Sequence, residues 1–271
     1  MTGETLADCV RRLRLEAAAA RLLGSPPQAA LTVALEVGFA SAEVFTRAFK
    51  AHFGVTPSAW RRGAWRAWAD RHQRELSKIH QANRNAHQAA ALVFLKDPLV
   101  WPVSPESTKE GTNMQVEIKT VPALRLAYMR HTGPYGDPGI TRTWDRFGAW
   151  CGSQGLVQPR RKMYGISQDD PSITAADKCR YDCCVEVDKS FQPKGEVGVQ
   201  NFAGGRYACG PFTGTGATIH DAWTYMYGQW LPQSGYQADD KPGLEIYAED
   251  FSVDAKTGAF SCLLCVPVRP L

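Results

Sequence analysis

The chain has 271 residues, 44% hydrophobic and 10% aromatic, with a net charge of +4. That composition is globular and long enough for about two domains. No run of about 18 apolar residues is available to span a bilayer and the N-terminus lacks the apolar segment of a secretory signal, so a cytoplasmic location and no membrane partner are expected. Residues 1–112 carry 15 Lys and Arg against 10 Asp and Glu, whereas residues 113–271 carry 16 against 17. Such a division suits a phosphate-facing module joined to a neutral one with a different partner.

In chain order, Thr5 to Leu23 reads as one amphipathic helix, with Val10, Leu13, Leu15, Leu22 and Leu23 inward and Arg11, Arg12, Arg14 and Arg21 outward. A second helix, apolar at Leu31, Ala34, Leu35 and Val37, stops at Gly38, which can take the left-handed conformation of a sharp turn. Ser41 then caps a third helix. Its Phe45, Ala48, Phe49 and Phe53 recur at helical spacing and face inward, and Ala42, Glu43, Thr46, Arg47 and Lys50 share the opposite face. A short helix with a small, polar and basic outer face fits a major groove. From Arg61 to Ala91 the pattern stays helical, with Trp65, Trp68, Leu76 and Ile79 inward and a basic outer side suited to backbone phosphate or simply to solvent. Residues 96–112, dense in Pro, Ser, Thr and charge, read as the linker.

The remainder is an internal repeat with an offset of 81, which aligns Arg125 with Arg206, Ala127 with Ala208 and Gly133 with Gly214. Each copy opens on two strands around a short turn, at 116–132 and 197–213, and a helix follows each Thr-Gly. The first helix carries Ile140, Trp144, Phe147 and Trp150; the second carries Ile219, Trp223, Met226 and Trp230. Two strands close each copy, at 162–167 and 180–187, then at 244–248 and 259–268. The fold class is therefore α+β: an all-α helix-turn-helix domain followed by a duplicated β-β-α-β-β domain with a pseudo-twofold axis. Its domains are expected at 1–95 and 113–271.

One β-β-α-β-β unit leaves an open sheet edge and an apolar face for its copy to cover, with a cleft along the axis. Strand alternation puts Glu245 and Tyr247 on one side, and the offset of 81 gives Tyr164 the place in the first copy that Glu245 holds in the second. Such a carboxylate, flanked by Tyr164, Tyr247, Trp150, Trp223 and Trp230, would be costly to bury unless neutralised. A lipophilic cation held by charge and ring quadrupoles would do so; a solvated or arginine-paired glutamate is the alternative. Arg180 and Asp182 alternate onto one strand face and read as a structural pair, and Asp170 before Pro171 reads as a turn former. The eight cysteines read as reduced core thiols, with Cys262 and Cys265 on opposite strand faces, as are Cys183 and Cys184. The six histidines show no ligand spacing, and no metal or cofactor is expected.

The stretch Gly38 to Arg61, closed by Phe53-Gly54-Val55-Thr56-Pro57-Ser58, resembles the second helix-turn-helix of AraC/XylS-type transcription regulators. The chain begins at the helix that links the two units in that family, so only the second unit is expected. Residues 114 to 268 resemble the GyrI-like small-molecule-binding domain, also found in Rob-type regulators. The matching segments are Thr132-Gly133-Pro134-Tyr135, Asp169-Asp170-Pro171, Arg180-Tyr181-Asp182, Gly204-Gly205-Arg206-Tyr207-Ala208, Trp230 to Gly235, Glu245-Ile246-Tyr247 and Val266-Pro267-Val268. The resemblance implies a ligand cleft containing Glu245, and Tyr135 is added to the expected ligand-binding residues. DNA contacts are expected from Ser41, Ala42, Glu43, Thr46, Arg47 and Lys50. Together these imply a one-component transcription regulator whose partners are DNA and a small lipophilic effector, cationic or neutral, with RNA polymerase contact and a homodimer as further expectations. The rivals are a GyrI-like hydrolase of electrophilic cyclopropyl compounds, with Glu245 and Tyr164 activating water, and a protein that sequesters a toxin.

Overall fold

The computed structural model describes residues 4–24, 26–71, 114–156, 161–193, 195–254 and 256–271. The expected helix beyond Arg71, with Leu76 and Ile79, and the linker at 96–112 lie outside them. Among the described residues no helix is long and apolar enough to cross a membrane.

The helical domain is built from α1 (Leu6–Leu22), α2 (Ala30–Glu36), α3 (Ala42–Phe53) and α4 (Pro57–Ala59), the last running into a π-type turn at Trp60–Ala64. Thr5 caps α1 and Thr56 caps α4. Ser41 caps α3 by accepting a bond from the Val44 N–H at 3.3 Å, and Gly38 (φ 88°) makes the turn before it. Phe45, Phe49 and Phe53 form the inward stripe of α3 and meet Trp60, whose ring centroid lies 4.6 Å from that of Phe53. The Trp60 indole N–H donates to the Ala19 carbonyl at 3.1 Å, so the α4 segment closes the core onto α1. Burying each such ring contributes about 1.5–3 kcal/mol, the main apolar contribution in a unit with few other large apolar residues.

Two inward faces differ from expectation. On α1 the buried residues are Leu15, Glu16, Ala18, Ala19 and Leu22, while Val10 and Leu23 are exposed. On α2 they are Val33 and Ala34, while Leu31 and Leu35 are more than half exposed. Close packing of α1 on α2 and α3 selects the small alanines, and a second contact claims the flank of α1: Arg12, half-buried rather than outward, bridges Glu4 at 2.8 Å and Glu16 at 3.1 Å. Burial pushes the Glu16 carboxyl up to about 7 against the pull of Arg12.

The second domain is a β-sheet with the strand order β1-β6-β9-β8-β3-β4-β2-β5. The strands are β1 (Glu117–Val121), β2 (Leu124–Thr132), β3 (Met163–Ser167), β4 (Arg180–Glu186), β5 (Gly198–Phe202), β6 (Gly205–Gly214), β8 (Gly243–Tyr247) and β9 (Phe260–Pro270). A short β7 (Tyr236–Ala238), which the sequence pattern does not announce, pairs with β9. The order is symmetric about the β8–β3 junction, and the two copies exchange their first strands: β1 pairs with β6 of the second copy and β5 with β2 of the first. This exchange and the β3–β8 pairing join the two halves into one continuous sheet. Helix α5 (Pro138–Ser153) and helix α6 (Ile219–Tyr225) belong to one face. That face carries Phe147, Cys183, Val185, Met226, Leu264 and Val266, and the other carries Leu126, Tyr164, Ile166, Cys184, Tyr207, Leu244 and Cys265.

Cys183 and Cys184 fall on opposite faces, as do Cys262 and Cys265, in line with strand alternation. The expectation that all eight thiols are reduced is corrected. Cys209 and Cys265 stand directly opposite each other in the β6–β9 register and form a disulfide. Arg180 and Asp182 are structural, but not as a pair: Arg180 binds Asp169 at 2.6 Å, and the buried Asp182 takes Arg130 in a two-pronged bond at 2.6 and 2.7 Å.

Helix α3 ends at Gly54, which has φ 75° and open space where a Cβ would stand. Gly54→Ala is expected to cost about 1 kcal/mol through backbone strain alone and to lower the thermal transition of the helical domain, followed by circular dichroism, without moving that of the sheet.

Candidate ligand site and DNA-facing helix

At the junction of the two half-sheets, Gly165 of β3 is the register partner of Glu245 of β8. The Glu245 side chain lies on the helix-bearing face, only 5% exposed. Its Oε2 accepts hydrogen bonds from the Tyr247 hydroxyl at 2.6 Å and from the Tyr181 hydroxyl, and its Oε1 accepts from the Trp223 indole N–H at 3.4 Å. Trp144 of α5 sets its ring edge-on to Tyr247 at 5.3 Å and to Tyr181 at 6.4 Å. Each copy thus lends one helix tryptophan to the surroundings of a single carboxylate.

The electrostatics follow from that enclosure. Burial pushes the Glu245 carboxyl above its ordinary range, and the bonds from Tyr181, Tyr247 and Trp223 draw it only part of the way back. Burial, with the neighbouring carboxylate, also holds the two tyrosine hydroxyls well above their usual value, which keeps them as donors. Among the described residues no Lys, Arg or His forms an ion pair with Glu245. The site is a desolvated anion-in-waiting, enclosed by aromatic rings.

Of the residues expected at the ligand site, Glu245, Tyr247 and Trp223 come together. Tyr164 does not: it lies on the opposite face with Ile166 and Leu244. The repeat offset of 81 holds for β2 and β6 but becomes 80 at this strand, where Gly165 pairs with Cys183 in the first copy as Glu245 pairs with Leu264 in the second. A one-residue slip moves a strand residue to the other face, so the expected Glu245–Tyr164 pair is not formed. Trp150 stacks on Phe147 at 5.7 Å and meets Phe191, and Trp230 packs on the cluster of Met226, Leu231 and Val268. The Tyr135 hydroxyl shares its one proton between the carbonyls of Asp169 and Arg180, at 3.1 and 2.9 Å, and accepts from the Asp169 N–H at 3.0 Å, a structural clamp. Tyr181 is not among the expected site residues, although the alternation that sets Arg180 and Asp182 on one face implies that Tyr181 points to the other.

On α3, Glu43, Arg47 and Lys50 are exposed and Ala42 and Thr46 half-buried on the outer face. The Ser41 hydroxyl is engaged in the cap.

Residues 114–269 match the model of the GyrI-like small molecule binding domain, and residues 1–63 match that of a helix-turn-helix domain. The chain belongs to the GyrI-like family. It is 31% identical over 134 residues to YosT of Bacillus subtilis (strain 168), a prophage-derived protein named as a candidate transcriptional regulator, covering 49% of this chain and 89% of YosT. It is 30% identical over 160 residues to the DNA gyrase inhibitor of Edwardsiella piscicida, covering 58% of this chain and 99% of the inhibitor. The right origin-binding protein of Escherichia coli (strain K12) is 25% identical over 280 residues, covering 99% of this chain and 84% of that protein. An AraC-type helix-turn-helix joined to a GyrI-like domain makes this member a DNA-binding regulator with a small-molecule-binding domain.

Gly165 is what lets the site close, because a Cβ there would stand 2.6 Å from Glu245 Oε2 and collide with the Tyr181 hydroxyl. Gly165→Ala is expected to destabilise the sheet domain by about 1–3 kcal/mol through overpacking and to break the Tyr181–Glu245 bond. Thermal melting and the near-ultraviolet tyrosine and tryptophan signal check both.

Proposed function

We propose that the effector is a lipophilic cation that takes the Glu245 carboxylate as its counter-charge and packs against Trp144, Trp223, Tyr181 and Tyr247. The observation that supports this is a carboxylate almost wholly removed from water with hydroxyl and indole donors but, among the described residues, no cationic partner. Leaving an unpaired buried charge is expensive, and a cation of matching shape removes that cost while gaining ring-face attraction. With Glu245 only 5% exposed, a cation reaches it only when the side chains that cover it move aside. In the same reading the outer face of α3, with Ala42, Glu43, Thr46, Arg47 and Lys50, enters the major groove, and Ser41 serves by fixing its N-terminus near the phosphates. The ligand alters DNA affinity or contact with RNA polymerase only through a preference for one arrangement of the chain.

The pH dependence has a definite sign. A carboxyl raised in the folded state contributes stability that is complete below its unfolded value and is lost as pH rises through its folded value. The ligand-free sheet domain is therefore expected to lose stability with rising pH, and Glu245→Gln to remove that dependence. Cation binding needs the ionised form, so tetraphenylphosphonium affinity should increase with pH and binding should release a proton. Calorimetry in buffers of different ionisation enthalpy measures the release. Glu245→Gln should weaken tetraphenylphosphonium more than a neutral tetraphenyl analogue; equal weakening of the two would overturn the assignment.

DNA binding is expected to fall steeply with salt. Arg47→Ala should cost about 1–3 kcal/mol if Arg47 reads a base, and a triple alanine variant at Thr46, Arg47 and Lys50 should lose most of the affinity and some of the salt slope. Gel-shift titration at several salt concentrations checks this, and unchanged binding by the triple variant would remove α3 from the interface.

A further inference from the structure

One residue of the sheet domain belongs to the core of the helical one. Ile173, in the loop between β3 and β4, is 5% exposed and joins the cluster of Leu15, Ala18, Leu22, Phe49 and Trp60. The Trp68 indole N–H donates to the Ile173 carbonyl at 3.1 Å, and the next residue, the buried Thr174, is close enough to the Glu16 side chain of α1 to draw its carboxyl down against the push of burial. The sequence pattern in this loop shows only a turn at Asp169-Asp170-Pro171.

The root of this loop is densely hydrogen-bonded. The Asp170 carbonyl accepts the N–H groups of Ile173 and Thr174 at 3.0 and 2.8 Å. The Asp169 carboxylate takes the Arg180 backbone N–H at 2.7 Å and its guanidinium at 2.6 and 2.9 Å, and Tyr135 ties both residues together. Arg180 is the first residue of β4, and its neighbour Tyr181 donates to Glu245. A continuous chain of packed and hydrogen-bonded groups thus runs from the candidate ligand site to the helix-turn-helix core.

We propose that the loop 169–179 is the transmitting element of this regulator, with Ile173 as a peg that completes the helix-turn-helix core and is loosened when Tyr181 leaves Glu245. The proposal rests on the ligand reading only for what displaces Tyr181 in use. Coupling of this kind is a free energy shared by two sites, and a double-mutant cycle isolates it from mere proximity.

The experiment uses the full chain without ligand. Tyr181→Phe removes the hydroxyl that reaches Glu245, Ile173→Ala removes the peg, and hydrogen exchange of the α1 amides is followed in each variant and in the double variant. Tyr181→Phe alone should speed α1 exchange at least threefold. In the Ile173→Ala background, where α1 already exchanges faster, it should add less than a further 1.5-fold, and Ile173→Val should behave as wild type. If Tyr181→Phe unfolds the sheet domain, Glu245→Leu, which takes away the acceptor of the Tyr181 hydroxyl, supplies the same perturbation. Unchanged α1 exchange on altering Tyr181 or Glu245, or effects that multiply in the double variant, would overturn the proposal. Tetraphenylphosphonium titration of the wild type by tryptophan fluorescence is read separately: no binding there sinks the ligand assignment and leaves the outcome of the cycle for the peg intact.

Discussion

The arrangement of the sheet domain depends on keeping one carboxylate out of water. Glu245 sits at the centre of a continuous sheet, where burial penalises its charge, and everything nearest to it mitigates that penalty without cancelling it. Two tyrosine hydroxyls and an indole N–H satisfy its oxygens, whereas Arg130 and Arg180 of the sheet are committed elsewhere, to Asp182 and to Asp169. A protein that merely needed a stable core would place a leucine there. Among the described residues this carboxylate has donors but no counter-charge, and that is the capacity the proposed cationic ligand would use.

How much of this could be read from the chain varied with how local the determinant was. The helix-turn-helix was legible because each signal acts within a few residues: the Gly38 turn, the Ser41 cap, the Phe45-Phe49-Phe53 stripe, the Gly54 stop. The duplication and the two helices were legible because the repeat preserves register over whole strands. What failed was non-local. Strand alternation placed Glu245 with Tyr247 correctly, but the partner across the junction depended on one residue of slip between copies, and a slip of one exchanges Tyr164 for Gly165. Tyr181 and Ile173 escaped for the same reason: what each touches comes from distant elements, and no short pattern announces it. The Cys209–Cys265 bond was likewise set by the pairing of β6 with β9, which spacing along the chain does not reveal.

The helical domain shows the converse dependence. Its inward stripes on α1 and α2 are made of alanines and valine as much as of leucines, and its largest contributions come from rings on α3 and from Trp60. With so little apolar volume of its own, the unit takes Ile173 from the sheet domain and sets Glu16, paired with Arg12, against Thr174 at the same seam. Arg21 adds an exposed bridge to Asp240 at 2.8 Å, which solvent screening makes a minor contribution. Apolar completion of a core therefore carries most of this contact, and contacts of that kind are made or lost as a unit, because close-packed interiors do not deform gradually.

The symmetry of the duplicated domain explains why the site has the asymmetry it does. Gly165 and Glu245 are equivalent by repeat and are also partners across the junction, so whatever one copy places there faces its own counterpart. Two glutamates would set two carboxylates against each other in a dry site, where like charges force one to stay protonated. Two glycines would leave room but nothing to recognise a ligand. Divergence of the copies resolves the conflict: one contributes the charge, and the other contributes the absence of a side chain, which lets Tyr181 reach across β3 to that charge. The candidate site on this axis does not keep the twofold: Gly165 in one copy answers Glu245 in the other, and the two tyrosine donors are unmatched as well, Tyr181 standing where the second copy has Cys262 and Tyr247 where the first has Ser167.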